Sequence, residues 1–188
     1  MAIAINGSSN TITGLAVGGL PNGSITAADL ASGVGGKFAS YAIICDKKGA
    51  NTGGGTFTAG GDRTRDLNTE ITDADSIVSI SSNQFTLQAG TYLIKGSCPA
   101  YNVARHAAWV YDVTAGANVG EVGANAYASS NTTRTIFQVR VTISSANVDE
   151  IRHRGNTTQN TNGFGVESET SVINRDSIYT VVEIYKES

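Results

Sequence analysis

Charge is scarce in this chain. Only 15% of its 188 residues are Asp, Glu, Lys or Arg, and the formal net charge is −3. A pI of about 5.3 leaves no basic surplus to neutralise a phosphate backbone, which excludes nucleic-acid binding driven by phosphate contacts. Long apolar runs are lacking too. None approaches the ~18 residues of a membrane-spanning helix, so no membrane insertion is expected. Ala, Leu, Glu and Lys at helical spacing are too few for a helical bundle. Cysteine occurs twice, as Cys45 and Cys98, where a disulfide-stapled secreted domain carries more in a shorter chain. Both lie in apolar strand-like runs and read as small core residues. The start, Met1-Ala2-Ile3-Ala4-Ile5-Asn6, has no basic segment and no long apolar one, so it does not read as a signal peptide. Synthesis in a cytoplasm, without conventional secretion, is expected.

What is abundant is Gly, Ser, Thr and Asn, about two residues in five. Thr, Val, Ile and Tyr separated by Gly and Asn describe an all-β protein with many turns. The length fits one domain with a short appendage. Residues 1–36 hold no aromatic residue and a large share of the glycines. Asn22-Gly23 signals a turn, and Ser24 or Thr26 caps one short helical turn over Ala27–Ala31, ended by Gly33. So little apolar surface builds no core of its own, and these residues read as an arm that packs on something else.

From Lys37 the pattern changes. Tyr41-Ala42-Ile43-Ile44-Cys45 is a continuous apolar run, hence a strand buried on both faces. Short strands are predicted over Ile77–Ile80, Gln84–Leu87, Thr91–Ala100, His106–Val113, Thr133–Ile143, Val148–His153 and Ile178–Tyr185, spaced as in a sandwich. In Thr135–Ile143 the alternation is clean, with Phe137, Val139, Val141 and Ile143 facing one way and Ile136, Gln138, Arg140 and Thr142 the other.

Chemical motifs are wanting. The glycine-rich stretch Gly53–Gly61 lacks the Gly-Lys-Ser/Thr of a phosphate loop and reads as a flexible surface loop. No Gly-x-Ser-x-Gly elbow occurs. His106 and His153 are the only imidazoles, without zinc-ligand spacing to either cysteine. Asp62, Asp66, Glu70, Asp73 and Asp75 cluster without the Asp-x-Asp-x-Asp-Gly order of a calcium loop; Arg63 and Arg65 neutralise part of them, and a solvated, salt-bridged segment is expected. Four Asn-x-Ser/Thr sequons, at Asn6, Asn22, Asn131 and Asn156, carry little meaning in so Asn- and Thr-rich a chain. No catalytic residue, cofactor or metal ligand is assigned. Trp109, the one tryptophan, shares a strand face with Ala107, Tyr111 and Val113. Core packing is its default role and a sugar-stacking platform the sharper alternative.

The segment Phe85-Thr86-Leu87-Gln88-Ala89-Gly90-Thr91-Tyr92-Leu93-Ile94 resembles the F-x-L-x-A-G-x-Y-x-I signature of C1q/TNF-like jelly rolls. Arg65–Glu70 and Ile77–Ile80 are similar to the early part of bacteriophage versions of that domain. Arg105–Thr114 and Tyr179–Lys186 look like a following strand and the last one. The resemblance covers roughly residues 38–187. Gly18–Leu30 is similar to stretches that precede the tips of phage tail-fibre proteins, and no collagen repeat precedes the domain as in animal relatives. The family implies a trimer of jelly rolls and no enzymatic chemistry.

The last strand points the same way. Ile178, Thr180, Val182 and Ile184 form one face and Tyr179, Val181, Glu183 and Tyr185 the other, both largely apolar. A sandwich has one core, so one face fills it and the other meets sister chains. In the resembled family the first and last strands are neighbours facing the three-fold axis. Tyr41, Ile43, Tyr179, Val181 and Tyr185 are therefore the candidate trimer-interface residues, and Glu183 needs a cation or donor there. The combined expectation is an all-β, C1q/TNF-like jelly-roll sandwich, trimeric, at residues 37–188, with an attachment arm at residues 1–36. Its expected role is that of a virion structural protein, a phage tail-fibre or short-fibre tip. The arm would dock on other virion proteins and the head on a host-surface glycan or protein. A capsid decoration or head fibre, and a non-viral secreted C1q-like carbohydrate-binding protein, are the alternatives.

Overall fold

Residues 132–143 alternate apolar and polar side chains, and in the computed structural model they form a half-exposed antiparallel strand. Phe137 and Ile143 are buried, while Ile136, Gln138, Arg140 and Thr142 face outward. The structure describes residues 37–167 and 173–187, together with the strand segments Ala4–Asn6 and Thr11–Thr13. The arm's turn at Asn22-Gly23 and its short helical turn lie outside the described residues. The chain divides at Lys37/Phe38 into two units. In the first, β1 (Ala4–Asn6) and β2 (Thr11–Thr13) pair antiparallel.

In the second unit every regular element among the described residues is a strand. They are β3 (Phe38–Lys48), β4 (Arg63–Thr64), β5 (Thr69–Thr72), β6 (Val78–Ser81), β7 (Gln84–Leu87), β8 (Gly90–Tyr101), β9 (Ala104–Asp112), β10 (Ala117–Val119), β11 (Ala126–Ala128), β12 (Thr132–Ile143), β13 (Asn147–Gly155) and β14 (Ser177–Glu187). One sheet runs β12-β8-β14-β3-β5; the other runs β10-β9-β13-β7-β6, with β11 also on β9 and β4 on β13. Between them lies one apolar core. Ala42, Ile44, Tyr92, Ile94, Phe137 and Ile184 come from the first sheet, and Phe85, Leu87, Ala108, Val110 and Ile151 from the second. The β6–β7 hairpin turns on Ser82 and Asn83, both at positive φ, as a two-residue turn that matches strand twist requires.

Three expectations change. The run Tyr41–Cys45 is not buried on both faces within one chain: Ala42, Ile44 and Cys45 are inside, Tyr41 is 52% exposed and Ile43 half-buried. In β14 the register against β3 shifts between Ile178 and Val181, which inserts an extra residue. The inserted residue breaks the period of two, so Tyr179 and Thr180 are both buried and Tyr179 leaves the outward face predicted for it. Finally, the glycine-rich stretch is not a free surface loop. Its backbone hydrogen-bonds to residues 159–165 through Gly54, Gly55 and Phe57. Phe57 is fully buried beside Ala100, Val103, Ala128 and Phe164 in a second apolar cluster. The glycines allow this approach: a Cβ on Gly54 would stand 2.6 Å from the backbone carbon of Phe164.

Candidate functional site

The residues singled out by the sequence fall in three places. The first is the outward face of the five-stranded sheet. Tyr185 pairs with Tyr41 across β14 and β3, their ring centroids 6.4 Å apart, and Phe38 lies 5.2 Å from Tyr185 on the other side. Ile43 and Val181 are half-buried nearby, and Ile136 is 61% exposed on β12. Glu183 finds its partners within the chain: Tyr185 donates its hydroxyl to Oε2 at 2.9 Å, and Lys95 Nζ approaches the same oxygen at 3.6 Å. Tyr179 belongs elsewhere. Its hydroxyl donates to the Thr52 carbonyl at 2.6 Å, tying β14 to the glycine-rich loop.

The second place is a buried polar chain between the sheets that the sequence did not disclose. Arg65 is fully buried. Its Nε donates to Thr180 Oγ1 at 2.7 Å, Nη1 to the Pro99 carbonyl at 3.1 Å and Nη2 to the Phe164 carbonyl at 3.0 Å. Nη1 also lies 3.5 Å from His153 Nδ1. A guanidinium only donates, so His153 Nδ1 accepts. His153 Nε2 then carries the proton and donates to His106 Nδ1 at 2.9 Å, and His106 Nε2 donates to Thr133 Oγ1 at 2.8 Å. Both imidazoles are thereby neutral and oriented. Burial, then the charge of Arg65, pushes His106 down to about 4 and His153 well below the ordinary imidazole value. The Arg65 in the acidic segment is thus no surface cation. The segment's carboxylates disperse: Asp66 pairs with Lys48 at 2.7 Å, and Asp73 accepts the backbone N–H groups of Ile77 and Val78.

A pH dependence follows. The two histidines take up protons in the unfolded chain before the folded one. Their contribution is complete above about pH 6.5 and is lost as pH falls toward about 4. Asp149 acts in the opposite sense. Burial raises its carboxyl to about 7, with the Asn147 amide pulling against the rise and Asp112 reinforcing it. The folded chain therefore keeps a proton that the unfolded chain releases, and stability increases as pH falls through 7. The Asp149→Asn variant loses that compensation, so its melting temperature is expected to fall more steeply than wild type between pH 6.5 and 4.5. Parallel melting curves for the two proteins would refute the assignment.

The third place is the outward face of the seven-stranded sheet. Even positions of β9 (His106, Ala108, Val110) point inward, so Trp109 points out. It is nonetheless only 6% exposed. The segment after β10 runs beside β9 and is stitched to both sheets: Gly123 N–H donates to the Ala108 carbonyl and Ala124 N–H to the Ile136 carbonyl. Thr135 Oγ1 completes the seam by donating to the Ala124 carbonyl and accepting from Ala108 N–H. Only glycine fits at 123, where a Cβ would stand 2.6 Å from both the Ala108 and Ile136 oxygens. Trp109 Nε1 donates to Asn118 Oδ1 at 2.9 Å. The tryptophan is buried, but on the outward face of β9 and not in the core between the sheets, where core packing was expected.

Between the segment after β10 and β13 runs a groove of about 380 Å³. Ala107 and Trp109 line it along β9, Asn118 on β10 and Val122 and Asn125 on the segment after it, and Arg154, Asn156 and Asp62 on the β13 side, with Arg105 also lining it. Asp62 lies 3.5 Å from Arg154 Nε and 3.9 Å from Arg152 Nη1. Arg152 is held in turn by Glu150 at 2.9 Å and stacks over Tyr111, 3.1 Å from the ring centroid.

No family model matches the chain, and no curated protein sequence matches it. Among solved structures it resembles murine APRIL at pH 8.5, with 7% identity and a TM-score of 0.50 over 78% of this chain and 98% of that one. The pH 5.0 structure of murine APRIL gives 8% identity and a TM-score of 0.50 over the same shares. The globular domain of zebrafish complement 1qA protein gives 14% identity and a TM-score of 0.48 over 78% and 96%. At these identities the likeness is one of fold: the second unit is an all-β, C1q/TNF-like jelly roll.

Proposed function

We propose that this protein is a non-enzymatic attachment head. Three copies associate through the outward face of the five-stranded sheet. Residues 1–36 dock the head on other virion proteins, and the head meets a host surface, as a phage tail-fibre or short-fibre tip does. The observation that carries the trimer is the aromatic and aliphatic patch of Phe38, Tyr41, Ile43, Ile136, Val181 and Tyr185 on that face. Such a patch is more than scattered surface apolarity, and a sister chain is its natural cover. The tyrosines suit a shared axis, since each buries a ring and keeps a hydroxyl for a partner. Glu183, already met by Lys95 and Tyr185, does not bring an unpaired charge to the contact. What supports the viral setting is the resemblance of Gly18–Leu30 to stretches that precede phage tail-fibre tips, and of Arg65–Glu70 and Ile77–Ile80 to phage versions of the domain. The absence of enzymatic chemistry is supported by both histidines being spent on each other and on Arg65 and Thr133.

Light scattering on the recombinant chain at micromolar concentration is expected to give three times the 19.4 kDa chain mass. Tyr185→Asp is expected to shift the population toward monomer and Gln138→Asp to leave it trimeric. A stable monomer overturns the assembly. A non-viral C1q-like carbohydrate-binding role is favoured by the groove beside Trp109; detection of the chain in purified virions, and capture of host cells by the trimer, decide for the attachment head against it.

A further inference from the structure

The geometry points to the groove beside Trp109 as a binding site for an acidic sugar, a pyranose ring that carries a carboxylate. The inference deepens the reading of the head as a binding module and rests on it, while the groove lies on the seven-stranded sheet, away from the face proposed for the trimer. The volume, about 380 Å³, lies at the small end of ligand pockets, ~300–1,000 Å³, and suits one or two rings rather than a long polymer.

Its polar groups are of the kind sugars use, and they are available. Among the described residues no carboxylate pairs with Arg105, and its side chain is exposed. Arg154 is 61% exposed, and Asp62 orients it from one side at 3.5 Å, which leaves its remaining N–H groups facing solvent. Two guanidinium groups against one carboxylate give the groove a positive balance on a chain of net charge −3. A guanidinium meets a carboxylate through two parallel hydrogen bonds, which makes a planar acid the fitting anion. Asn118 accepts from Trp109 and so keeps both amide N–H donors. The side-chain amides of Asn125 and Asn156 have no partner among the described residues and offer donors and acceptors to hydroxyl groups. Trp109, only 6% exposed, adds a narrow apolar edge to the lining, and Ala107 and Val122 add the rest of its apolar surface.

Trp109 is the only tryptophan, so its fluorescence reports the groove alone. Titration of the full chain with sodium glucuronate is expected to change that emission saturably, and neutral glucose and inorganic phosphate are expected to bind at least tenfold more weakly. Arg105→Gln and Arg154→Gln are each expected to weaken glucuronate binding about ten- to hundredfold, the range for losing a hydrogen bond to a charged group. Among the described residues the Arg105 side chain makes no hydrogen bond or ion pair, and Gln keeps the backbone bonds of β9, so this variant should keep the wild-type melting temperature. Arg140→Gln, on the other sheet, should bind as wild type. The inference is overturned if glucuronate leaves the emission unchanged, if Arg105→Gln binds with wild-type affinity, or if phosphate competes as well as glucuronate, which would mark a plain anion site. A monomer that still binds glucuronate breaks the trimer and not the groove; a trimer that ignores it breaks the groove and not the trimer.

Discussion

Replacing Arg65 with Ala is expected to lower stability by about 3–5 kcal/mol, a fall in Tm of roughly 10–15 °C for a domain of this size. The guanidinium satisfies Thr180 Oγ1 and the Pro99 and Phe164 carbonyls, which sit on three separate segments. Its loss would orphan three buried acceptors, each costing ~1–3 kcal/mol. Relief from burying a charge offsets part of that sum, which is why the expected net is below the total. The side chain also packs 4.2 Å over the Phe164 ring, so Ala leaves a cavity beside the second apolar cluster. Arg65→Lys keeps the charge but not the fork, and one ammonium cannot reach acceptors arranged around a plane. It is expected to recover less than half of the lost stability. Because the charge of Arg65 helps to hold His106 and His153 neutral, the Ala variant should also show a shallower loss of stability toward acid pH. An Ala variant melting within about 2 °C of wild type would show that the polar chain adds nothing net.

The second large effect is expected at Trp109. Trp109→Ala removes an indole that is 6% exposed and should cost about 3–5 kcal/mol. The side chain lies on the outward face of β9, so the damage should start beside it: Asn118 loses its donor, and the groove shared with Val122 loses an apolar wall next to the segment that holds Gly123. Hydrogen exchange at the Gly123 and Ala124 amides should rise more than exchange in β8 or β14. Trp109→Phe, which keeps the ring and drops the donor, should restore most of the melting temperature. If Trp109→Ala keeps its Tm, the indole is not a packing element at all.

Local patterning accounts for what the sequence announced. Strands with a strict period of two, such as β12, and runs bounded by turn residues, such as β7 to β8, are stated by nearest neighbours along the chain. The all-β class and most strand positions followed from that, and the signature at Phe85–Ile94 indicated the jelly roll. In the second unit, β4, β5, β10 and β11 stand out in no run of the sequence; each forms as an addition to a longer strand, β13, β3 or β9, which the chain does not state locally.

The candidate sites divide the same way. Tyr41, Ile43, Val181 and Tyr185 were readable as an apolar second face because alternation alone separates them from Ala42, Ile44, Val182 and Ile184. Tyr179 was not, because one inserted residue reverses the faces beyond it, and no composition rule marks a bulge. Arg65 looked like a neutralising charge in an acidic stretch; only the fold brings it to His153 across 88 positions and to Thr180 across 115. Arg105, Arg154 and Asp62 are unremarkable apart, and the groove exists because β13 lies beside β9 while the segment after β10 comes to line it beside Trp109. Periodicity, a short-range property of the chain, determined most of the strands and, away from the bulge in β14, their faces. Which charges were buried, and which side chains met in one groove, was decided by long-range antiparallel pairing, which places residues together by register and not by their distance in sequence.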